Sequence, residues 1–519
     1  MSRRGDGWID PRTVATVWDL LAARVDRTPD ARFLVDQDDR ELTFLDVRDR
    51  AERVAAGLAT RGIGPGSVVS WQLPTAIDTV VVSLALARLG VVQNPIIPVY
   101  REREVTSLLG GVGAEMFVVP GVWNGFDFAT MAAKVADRLG RPLDVLALDA
   151  GVPERDPAAL PAPPGDGDEV RWLYSTSGTT SAPKAVRHTD ATLLRASLGN
   201  AVAYDPAPDD VGSVPFPIAH IGGPLYLLLA LQCGIPAVLL DAFVPTHALE
   251  VFRRHGVTMT GGSTAFYQAF LALQRAHDTE DRVLPSLRQL MGGAAPMPPE
   301  VYRQVLDEVG VRCLHGYGMT ECPMIATGAT TDTDEQLAHT EGAPVEGCEI
   351  RVVDDAGRVV GPGEVGELRV RGPMVCKGYT DVAATAAAFD ADGWFRTGDL
   401  GLRRDDGHVV LTGRAKDMII RKGENLSPQE IEDVLMEYPG VAAVAVIGLP
   451  DPERGERVCA VLELLPGAPA PDIPAIAAHC ERAGLMRQKT PEQLELVDTL
   501  PRNATMKILK TELRERYAR

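Results

Sequence analysis

The most concentrated chemistry in this sequence is a loop of hydroxyl side chains that ends in a lysine. The run Ser175-Thr176-Ser177-Gly178-Thr179-Thr180-Ser181-Ala182-Pro183-Lys184 follows the apolar segment 172–174. Backbone N–H groups and hydroxyls in such a loop can donate to phosphate oxygens, and the lysine offsets their charge. The run lacks the Gly-Lys-Ser/Thr of a Walker loop, which disfavours an ordinary P-loop NTPase. The pattern favours a polyphosphate site over a flexible surface loop.

Further segments carry side chains that suit nucleotide chemistry. Gly292-Gly293-Ala294-Ala295-Pro296 is a turn of small residues that a flat ring could approach closely. Tyr317-Gly318-Met319-Thr320-Glu321 combines a ring for base stacking, a hydroxyl for phosphate and a carboxylate for Mg²⁺. Asp399 could accept from two ribose hydroxyls, and Arg414 lies in a charged turn. Each of these segments alone could equally be an ordinary turn, so their meaning depends on the elements that position them.

Helical and strand patterns alternate along the chain. Thr43 and Asp46 form a capping pattern before apolar positions at helical spacing, which predicts a helix from Phe44 that ends near Gly62. Strand-like and helical segments then alternate over residues 68–109, and a Pro-rich loop is predicted over 151–168. The apolar stretch 225–240 is too interrupted to span a membrane and predicts a buried helix followed by a buried strand. The fold class is therefore α/β, with mainly parallel sheets flanked by helices.

Composition excludes several classes of function. The 519 residues carry 52 Lys plus Arg against 71 Asp plus Glu, a formal charge of −19, which disfavours nucleic acid and anionic membranes as general partners. The first residues have two cations but no apolar run, so a secretory signal is not indicated and a cytoplasmic protein is expected. The seven cysteines are scattered without metal-ligand spacing, which indicates buried or idle thiols rather than a disulfide framework or a zinc site.

Taken in order, the segments from Tyr174 to Lys507 resemble those of the adenylate-forming superfamily of acyl-CoA synthetases, firefly luciferases and nonribosomal peptide adenylation domains. The resemblance covers nearly the whole chain. It implies a large N-terminal domain of several α/β subdomains, residues 1–416, and a small mobile α+β domain, residues 417–519, with the hinge at Lys416.

The resemblance also implies a role for each matching residue. Thr176, Ser177, Gly178, Thr179, Thr180 and Lys184 would bind the phosphates of ATP; Ala294, Ala295, Pro296, Tyr317, Gly318 and Met319 would surround the adenine, Asp399 would bind the ribose, and Arg414 the ribose or phosphate. Thr320 would contact the α-phosphate, Glu321 would bind Mg²⁺ with help from Thr179, and Lys507 would be the catalytic lysine. Gly423 belongs to the loop expected beside the tunnel for the pantetheine arm of coenzyme A.

Three positions depart from the family pattern. Ser181 and Ala185 stand where the phosphate loop commonly has glycine, but Ser181 can still donate, so we expect binding to persist. Met506 stands before the lysine where glycine is usual. If that glycine bends the loop through a positive φ, a methionine would resist the bend and disturb the geometry of Lys507.

The acid substrate is the least determined part. The segment 215–223 resembles the lining of the acyl pocket, with His220 as a gate near the carboxylate, and it contains no Asp or Glu to hold a substrate ammonium. Residues 261–267 would form an apolar and aromatic second wall. We therefore expect a hydrophobic acid, either aryl, alicyclic or medium-chain.

The implied reaction uses ATP, Mg²⁺ and coenzyme A to form an acyl-AMP and then a thioester. Two alternatives remain open: loading of a separate carrier protein, since no carrier domain is evident after Lys507, and luciferase-like oxidation of the adenylate. A non-catalytic nucleotide binder, should Met506 disable the lysine, ranks last. The sequence leaves a homodimer open.

Overall fold

Four main β-sheets organise the computed structural model, which describes residues 5, 7–176, 184–277, 281–414, 417–421, 424–503 and 506–518. The strands are β1 (Arg32–Asp36), β2 (Glu41–Thr43), β3 (Val68–Trp71), β4 (Val92–Pro95), β5 (Met116–Val119), β6 (Val122–Trp123), β7 (Phe126–Asp127), β8 (Asp144–Ala147), β9 (Val170–Thr176), β10 (Lys184–Thr189), β11 (Gly212–Val214), β12 (Ala237–Leu239), β13 (Met259–Gly262), β14 (Gln289–Gly293), β15 (Arg312–Met319), β16 (Cys322–Thr327), β17 (Ala343–Pro344), β18 (Glu349–Val353), β19 (Gly366–Arg371), β20 (Phe395–Arg403), β21 (Val409–Arg414), β22 (Ile419–Arg421), β23 (Glu424–Leu426), β24 (Val441–Asp451), β25 (Gly455–Leu464) and β26 (Gln493–Val497).

The helices pack on the faces of these sheets. They are α1 (Val17–Arg27), α2 (Phe44–Ala59), α3 (Ile77–Leu89), α4 (Glu102–Val112), α5 (Phe128–Leu139), α6 (Asp190–Tyr204), α7 (Gly222–Cys233), α8 (Pro245–His255), α9 (Thr264–Arg275), α10 (Pro299–Gln304), α11 (Asp334–His339), α12 (Val382–Ala388), α13 (Pro428–Met436), α14 (Ile473–Arg482) and α15 (Lys510–Tyr517).

The two largest sheets are mainly parallel, as predicted. The nine-stranded sheet has the order β17-β16-β15-β14-β13-β11-β12-β1-β2, with β1 and β11 to β15 parallel and the remaining strands antiparallel at its edges. The six-stranded sheet has the order β10-β9-β4-β3-β5-β8, with β10 antiparallel to β9. Ligands of open α/β sheets bind beyond the carboxyl ends of parallel strands, which is where Thr176, Ala294 and Thr320 lie.

Two smaller sheets complete the fold. Strands β18 to β21 form an antiparallel sheet that carries Asp399 and Arg414. Strands β22 to β26 form a five-stranded sheet with α13, α14 and α15, built from the C-terminal quarter of the chain around a core of its own. The architecture confirms the predicted α/β class with a large N-terminal part and a small C-terminal one. Lys416 lies outside the described residues, so the boundary between 416 and 417 stays a prediction.

Local patterns explain why particular elements form. Thr43 accepts from the Asp46 N–H and the Asp46 carboxylate accepts from the Thr43 N–H, so the predicted capping box starts α2. The stretch 225–240 is a buried helix, α7, that ends at Gly234 with a left-handed φ of 72°, followed by the buried strand β12. Residues 151–168 contain only a short 3₁₀ turn at Pro157–Ala159. Each of these outcomes confirms its prediction.

The seven cysteines are all buried free thiols. Among the described residues, no helix is both long and apolar enough to cross a membrane.

Candidate active site

Thr320 and Glu321 form the two-residue turn between β15 and β16. Met319 pairs with Cys322 across this hairpin, so the turn projects from the carboxyl end of a parallel strand. Gly318 must lack a side chain, because a Cβ atom there would lie 2.3 Å from the carbonyl oxygen of Pro323. The sequence therefore places the hydroxyl and the carboxylate side by side at the tip of a rigid hairpin.

A buried histidine, His188, holds this turn in place through a hydrogen bond to its backbone. The Nε2 atom of His188 donates to the Thr320 carbonyl at 2.7 Å, and its Nδ1 atom lies 2.8 Å from the Thr192 hydroxyl. Burial lowers the pKa of His188 to about 4, so the ring is neutral near pH 7 with its proton on Nε2. His188 thus couples α6 to the backbone of Thr320, a contact that the sequence analysis did not foresee.

The Glu321 side chain is buried, and one of its two carboxylate oxygens accepts a hydrogen bond. Its side-chain Oε1 atom accepts from the Tyr379 hydroxyl at 2.6 Å, and its carbonyl accepts from the Cys376 N–H at 2.8 Å. Within the described parts of the chain, no cluster of three or more His, Cys, Asp or Glu side chains forms a ready-made metal cage. Mg²⁺ is commonly held by one or two carboxylates together with substrate phosphates and water. The single carboxylate of Glu321 beside the phosphate loop fits that mode of binding.

The structure brings Tyr317, Asp399 and Arg414 together. The Tyr317 hydroxyl donates to Asp399 Oδ2 at 2.7 Å, and Arg414 Nε donates to Asp399 Oδ1 at 2.9 Å. Asp399 and Arg414 are direct partners in the register of β20 and β21, which puts their side chains on one face. Burial, and then the charge of Asp399, raises the pKa of Tyr317 well above its usual value, so the phenol remains a donor.

Glycines on three neighbouring strands make a flat surface beside Tyr317. Gly262 pairs with Gly292 at the carboxyl ends of β13 and β14, and Gly293 pairs with Gly316 in the middle of β15. A Cβ atom on Gly293 would lie 2.1 Å from the Gly316 carbonyl oxygen. This surface can accept a planar base against backbone.

The predicted adenine turn continues from Gly293. Ala294 has a left-handed φ of 70°, and the Thr264 hydroxyl donates to the Pro296 carbonyl at 2.7 Å, with Ala295 between them. The turn is therefore tied to the start of α9.

The phosphate loop is bracketed by an antiparallel pair of strands. Thr176 ends β9 and pairs with Lys184 at the start of β10, and the Lys184 Nζ atom lies 6.0 Å from the centre of the Tyr379 ring. The predicted contacts of Ser177, Gly178, Thr179, Thr180 and Ser181 lie outside the described residues, as do those of Gly423.

The C-terminal lysine lies close enough to the N-terminal part to act on His220. Burial, and then the positive charge of Lys507, lowers the pKa of His220 to about 4. The Lys507 N–H donates to Asn503 Oδ1 at 2.9 Å, and Met506 has a φ of 64°. Methionine therefore adopts the left-handed backbone that we expected it to resist.

Around His220, a small cavity lined by apolar and polar side chains runs towards α4. His220 and Thr320 line one end, and its walls are Pro95, Ile96, Ile97, Tyr100, Leu108, Tyr174, Ser175, Ala219 and Ile221. On the segment that the acyl pocket was expected to use, Phe216 and Tyr226 meet edge to face with ring centres 5.1 Å apart. Among the described residues, no carboxylate lines this cavity.

Sequence reasoning missed His188 and Tyr379 as neighbours of the turn at 320–321. Tyr379 is 58 positions from Glu321 along the chain, and His188 is 132 positions from Thr320. No local spacing pattern carries such contacts.

Two family models match most of the chain. The family model for AMP-binding enzyme matches residues 21–380, and the model for the AMP-binding enzyme C-terminal domain matches residues 430–507. A 2-hydroxy-7-methoxy-5-methyl-1-naphthoate–CoA ligase from Streptomyces carzinostaticus is 34% identical, over 95% of this chain and 92% of the relative. A salicyl-AMP ligase/salicyl-S-ArCP synthetase from Mycobacterium tuberculosis is 33% identical, over 98% of this chain and 91% of the relative.

A solved structure shows the same fold. The o-succinylbenzoate coenzyme A synthetase of Bacillus subtilis, in complex with ATP and magnesium ion, superposes with a TM-score of 0.82 at 28% identity, over 95% of this chain and 98% of that one. The residues that converge around Thr320, the two family matches and these relatives lead to one conclusion: the chain belongs to the AMP-binding enzyme family, within the adenylate-forming superfamily.

Proposed function

We propose that this enzyme activates a hydrophobic carboxylic acid with ATP and Mg²⁺ to an acyl-AMP and then transfers the acyl group to coenzyme A, releasing diphosphate and AMP. The observation that carries the proposal is that His220 and Thr320 line the end of one cavity, and that the positive charge of Lys507, from the C-terminal part of the chain, lowers the pKa of His220. The Tyr317–Asp399–Arg414 group beside them supplies the nucleoside contacts.

In the first step, a carboxylate oxygen of the acid attacks the α-phosphorus of ATP, and the bond from that phosphorus to the bridging oxygen of diphosphate breaks. Negative charge builds on the α-phosphoryl oxygens, where the Lys507 ammonium and the Thr320 hydroxyl would stabilise it more strongly than in the ground state. When bound, Mg²⁺ supplies positive charge to the phosphates, and Glu321 would hold it, with Thr179 as a helper. Asp399, Tyr317 and Arg414 hold the nucleoside in position.

In the second step, a thiol attacks the acyl carbonyl carbon, the acyl–oxygen bond to AMP breaks, and the thiol proton goes to solvent. We assign the cavity that ends at His220 and Thr320 to the arm that carries this thiol, because it reaches the reacting centre from the α4 side. The acid would enter from the Phe216 and Tyr226 side. Between the steps, the small domain would turn about Lys416 and bring Gly423 towards the tunnel.

The acid is aryl, alicyclic or medium-chain in this proposal. The two segments expected to wall the acid, 215–223 and 261–267, are mainly apolar or aromatic and contain no Asp or Glu that could hold a substrate ammonium. His220 is neutral near pH 7 because burial and Lys507 lower its pKa to about 4, so it does not compete with Lys507 for the carboxylate. Its place at the end of the cavity suits a gate between acid and thiol.

A carrier protein is the second candidate acceptor, because one relative is named as a salicyl-S-ArCP synthetase. The two acceptors share the first step and differ in the group that presents the thiol. Luciferase-like oxidation of the adenylate is the remaining alternative, and it would consume oxygen.

The test is mass spectrometry of the products from ATP, Mg²⁺ and a panel of aryl, alicyclic and fatty acids, with and without coenzyme A. Acyl-CoA with AMP is the expected result, and it identifies the acid class at once. Acyl-AMP that accumulates and never reaches coenzyme A would favour the carrier protein. The absence of adenylate from every acid would contradict the proposal.

A further inference from the structure

A short segment, residues 376–380, ties the strand that leaves the phosphate loop to Glu321. Its backbone exchanges hydrogen bonds of 2.8–2.9 Å with Ala185 and Arg187 of β10. At its start, the Cys376 N–H donates to the Glu321 carbonyl at 2.8 Å. The segment therefore fixes the spacing between β10 and the turn that carries Glu321.

Within this segment, Tyr379 reaches both sides of the phosphate site. Its hydroxyl donates to Glu321 Oε1 at 2.6 Å, while its ring centre lies 6.0 Å from Lys184 Nζ. The Tyr379 N–H donates to the Thr385 hydroxyl at 2.9 Å, and Gly378 before it has a left-handed φ of 79° that brings Thr385 close. These contacts fix the backbone position of Tyr379, and therefore the point from which its phenol ring extends.

One oxygen of Glu321 is occupied by this contact. Within the described parts of the chain, no donor contacts Oε2, so the bond from Tyr379 selects which oxygen of the carboxylate faces another partner. Mg²⁺ demands near-ideal octahedral geometry, so the direction of each ligand oxygen matters for its affinity. Groups that orient a metal ligand commonly contribute 10- to 100-fold in metal affinity.

We propose that Tyr379 is a positioning residue for the metal site: its phenol holds the Glu321 carboxylate so that Oε2 is presented to the Mg²⁺ of Mg–ATP beside the phosphate loop. This inference rests on the proposed function, which makes Glu321 the metal ligand. In this proposal the Tyr379 hydroxyl acts only through Glu321.

The test compares nucleotide binding with and without metal, so that no turnover is needed. Calorimetry measures the dissociation constant of α,β-methylene-ATP in EDTA and in saturating Mg²⁺, and their ratio is the gain in affinity due to the metal. For Tyr379→Phe we expect the gain in affinity due to Mg²⁺ to fall by about 10-fold. The dissociation constant measured in EDTA should stay within about two-fold of that of the parent. Glu321→Gln should lose at least as much, and the double variant no more than Glu321→Gln alone, because both changes act on one interaction.

Tyr302→Phe is the matched control. The Tyr302 hydroxyl also donates to a carboxylate, Asp334 Oδ1 at 2.8 Å, but it lies on α10, away from Glu321. In Tyr302→Phe, the gain in nucleotide affinity due to Mg²⁺ should equal that of the parent.

The outcomes separate the two proposals. An unchanged gain in Tyr379→Phe with a lost gain in Glu321→Gln would overturn the positioning role alone. An unchanged gain in both would remove Glu321 from the metal site. An equal loss of affinity in EDTA and in Mg²⁺ for Tyr379→Phe would show a merely structural role and also overturn the inference.

Discussion

The Tyr317 hydroxyl and Asp399 Oδ2 lie 2.7 Å apart, although 82 positions separate these residues in the chain. Arg414 Nε holds the other oxygen of the same carboxylate at 2.9 Å. The carboxylate is therefore oriented before any nucleotide arrives, and under the proposed function this orientation would lower the entropic cost of binding the ribose.

Removing either partner of Asp399 should weaken AMP binding. We expect Tyr317→Phe to raise the dissociation constant of AMP by about 5- to 10-fold, because a hydrogen bond to a charged group is lost while the ring is retained. Tyr317→Ala should cost more, since it also removes the stacking surface. Calorimetry with AMP measures both, and Arg371→Ala, which breaks the exposed pair with Glu349 on the same small sheet, serves as control. Equal affinity in Tyr317→Phe and the parent would remove this bond from nucleotide recognition.

Several features could be predicted from the sequence because their causes are local. The capping box at Thr43 and Asp46 and the buried helix of residues 225–240 each depend on residues a few positions apart. The motif of Thr320 and Glu321 is local too, whereas the hairpin turn that they form is a finding of the structure.

Contacts between distant segments could not be predicted. His188 donates to the backbone carbonyl of Thr320. Every residue has such a carbonyl, so the residue types in the sequence do not indicate this contact. Tyr379 reaches Glu321 only because residues 376–380 lie along β10. Such pairs are set by tertiary packing, and no periodicity within either segment reports them.

The role of Lys507 can be separated by half-reaction. Lys507→Ala should reduce acyl-AMP formation by at least about 100-fold, since a cation at the charge-bearing α-phosphate is lost. The rate of thioester formation from supplied acyl-AMP should stay within about three-fold of the parent rate. No diphosphate leaves in that step, so it does not need the cation at the α-phosphate in the same way. Lys510→Ala is the control, as Lys510 lies in the same segment but pairs with Glu432 at 2.6 Å. Equal loss of both half-reactions would contradict the role assigned to Lys507.

Met506 stores backbone strain beside that lysine. A non-glycine residue in the left-handed region costs about 1–2 kcal/mol, and Met506 has a φ of 64° and is 40% exposed. Met506→Gly should therefore favour the turn that presents Lys507 and raise the adenylation rate by about two- to five-fold, with little loss of packing. Single-turnover formation of acyl-AMP measures the effect, and Met486→Gly, at another exposed methionine of the C-terminal part, controls for a general change in chain flexibility. A slower rate in Met506→Gly would show that the methionine side chain itself contributes.

Stability should fall as pH rises because two half-buried carboxyl groups, Glu341 and Asp433, lie near each other. Burial, and then the charge of Asp433, raises the pKa of Glu341 to about 8, and burial raises the pKa of Asp433 to about 7. Glu341 Oε2 lies 3.4 Å from His315 Nε2, but burial lowers the pKa of His315 to about 4, so the contact joins neutral groups near pH 7.

The sign follows from proton linkage. The folded pKa of Glu341 lies above the unfolded value, so the folded state binds the extra proton and its stability is lost as pH rises through about 8. His315 acts in the opposite direction, but only between about pH 4 and 6.5, so measurements from pH 6.5 to 9 isolate the carboxyl groups. Glu341→Gln mimics the protonated form and should gain about 1–2 kcal/mol over the parent across that range. Urea unfolding at each pH measures the difference, and the exposed Glu481→Gln should show none. A constant difference between Glu341→Gln and the parent from pH 6.5 to 9 would mean that Glu341 is already ionised in the folded protein at pH 6.5.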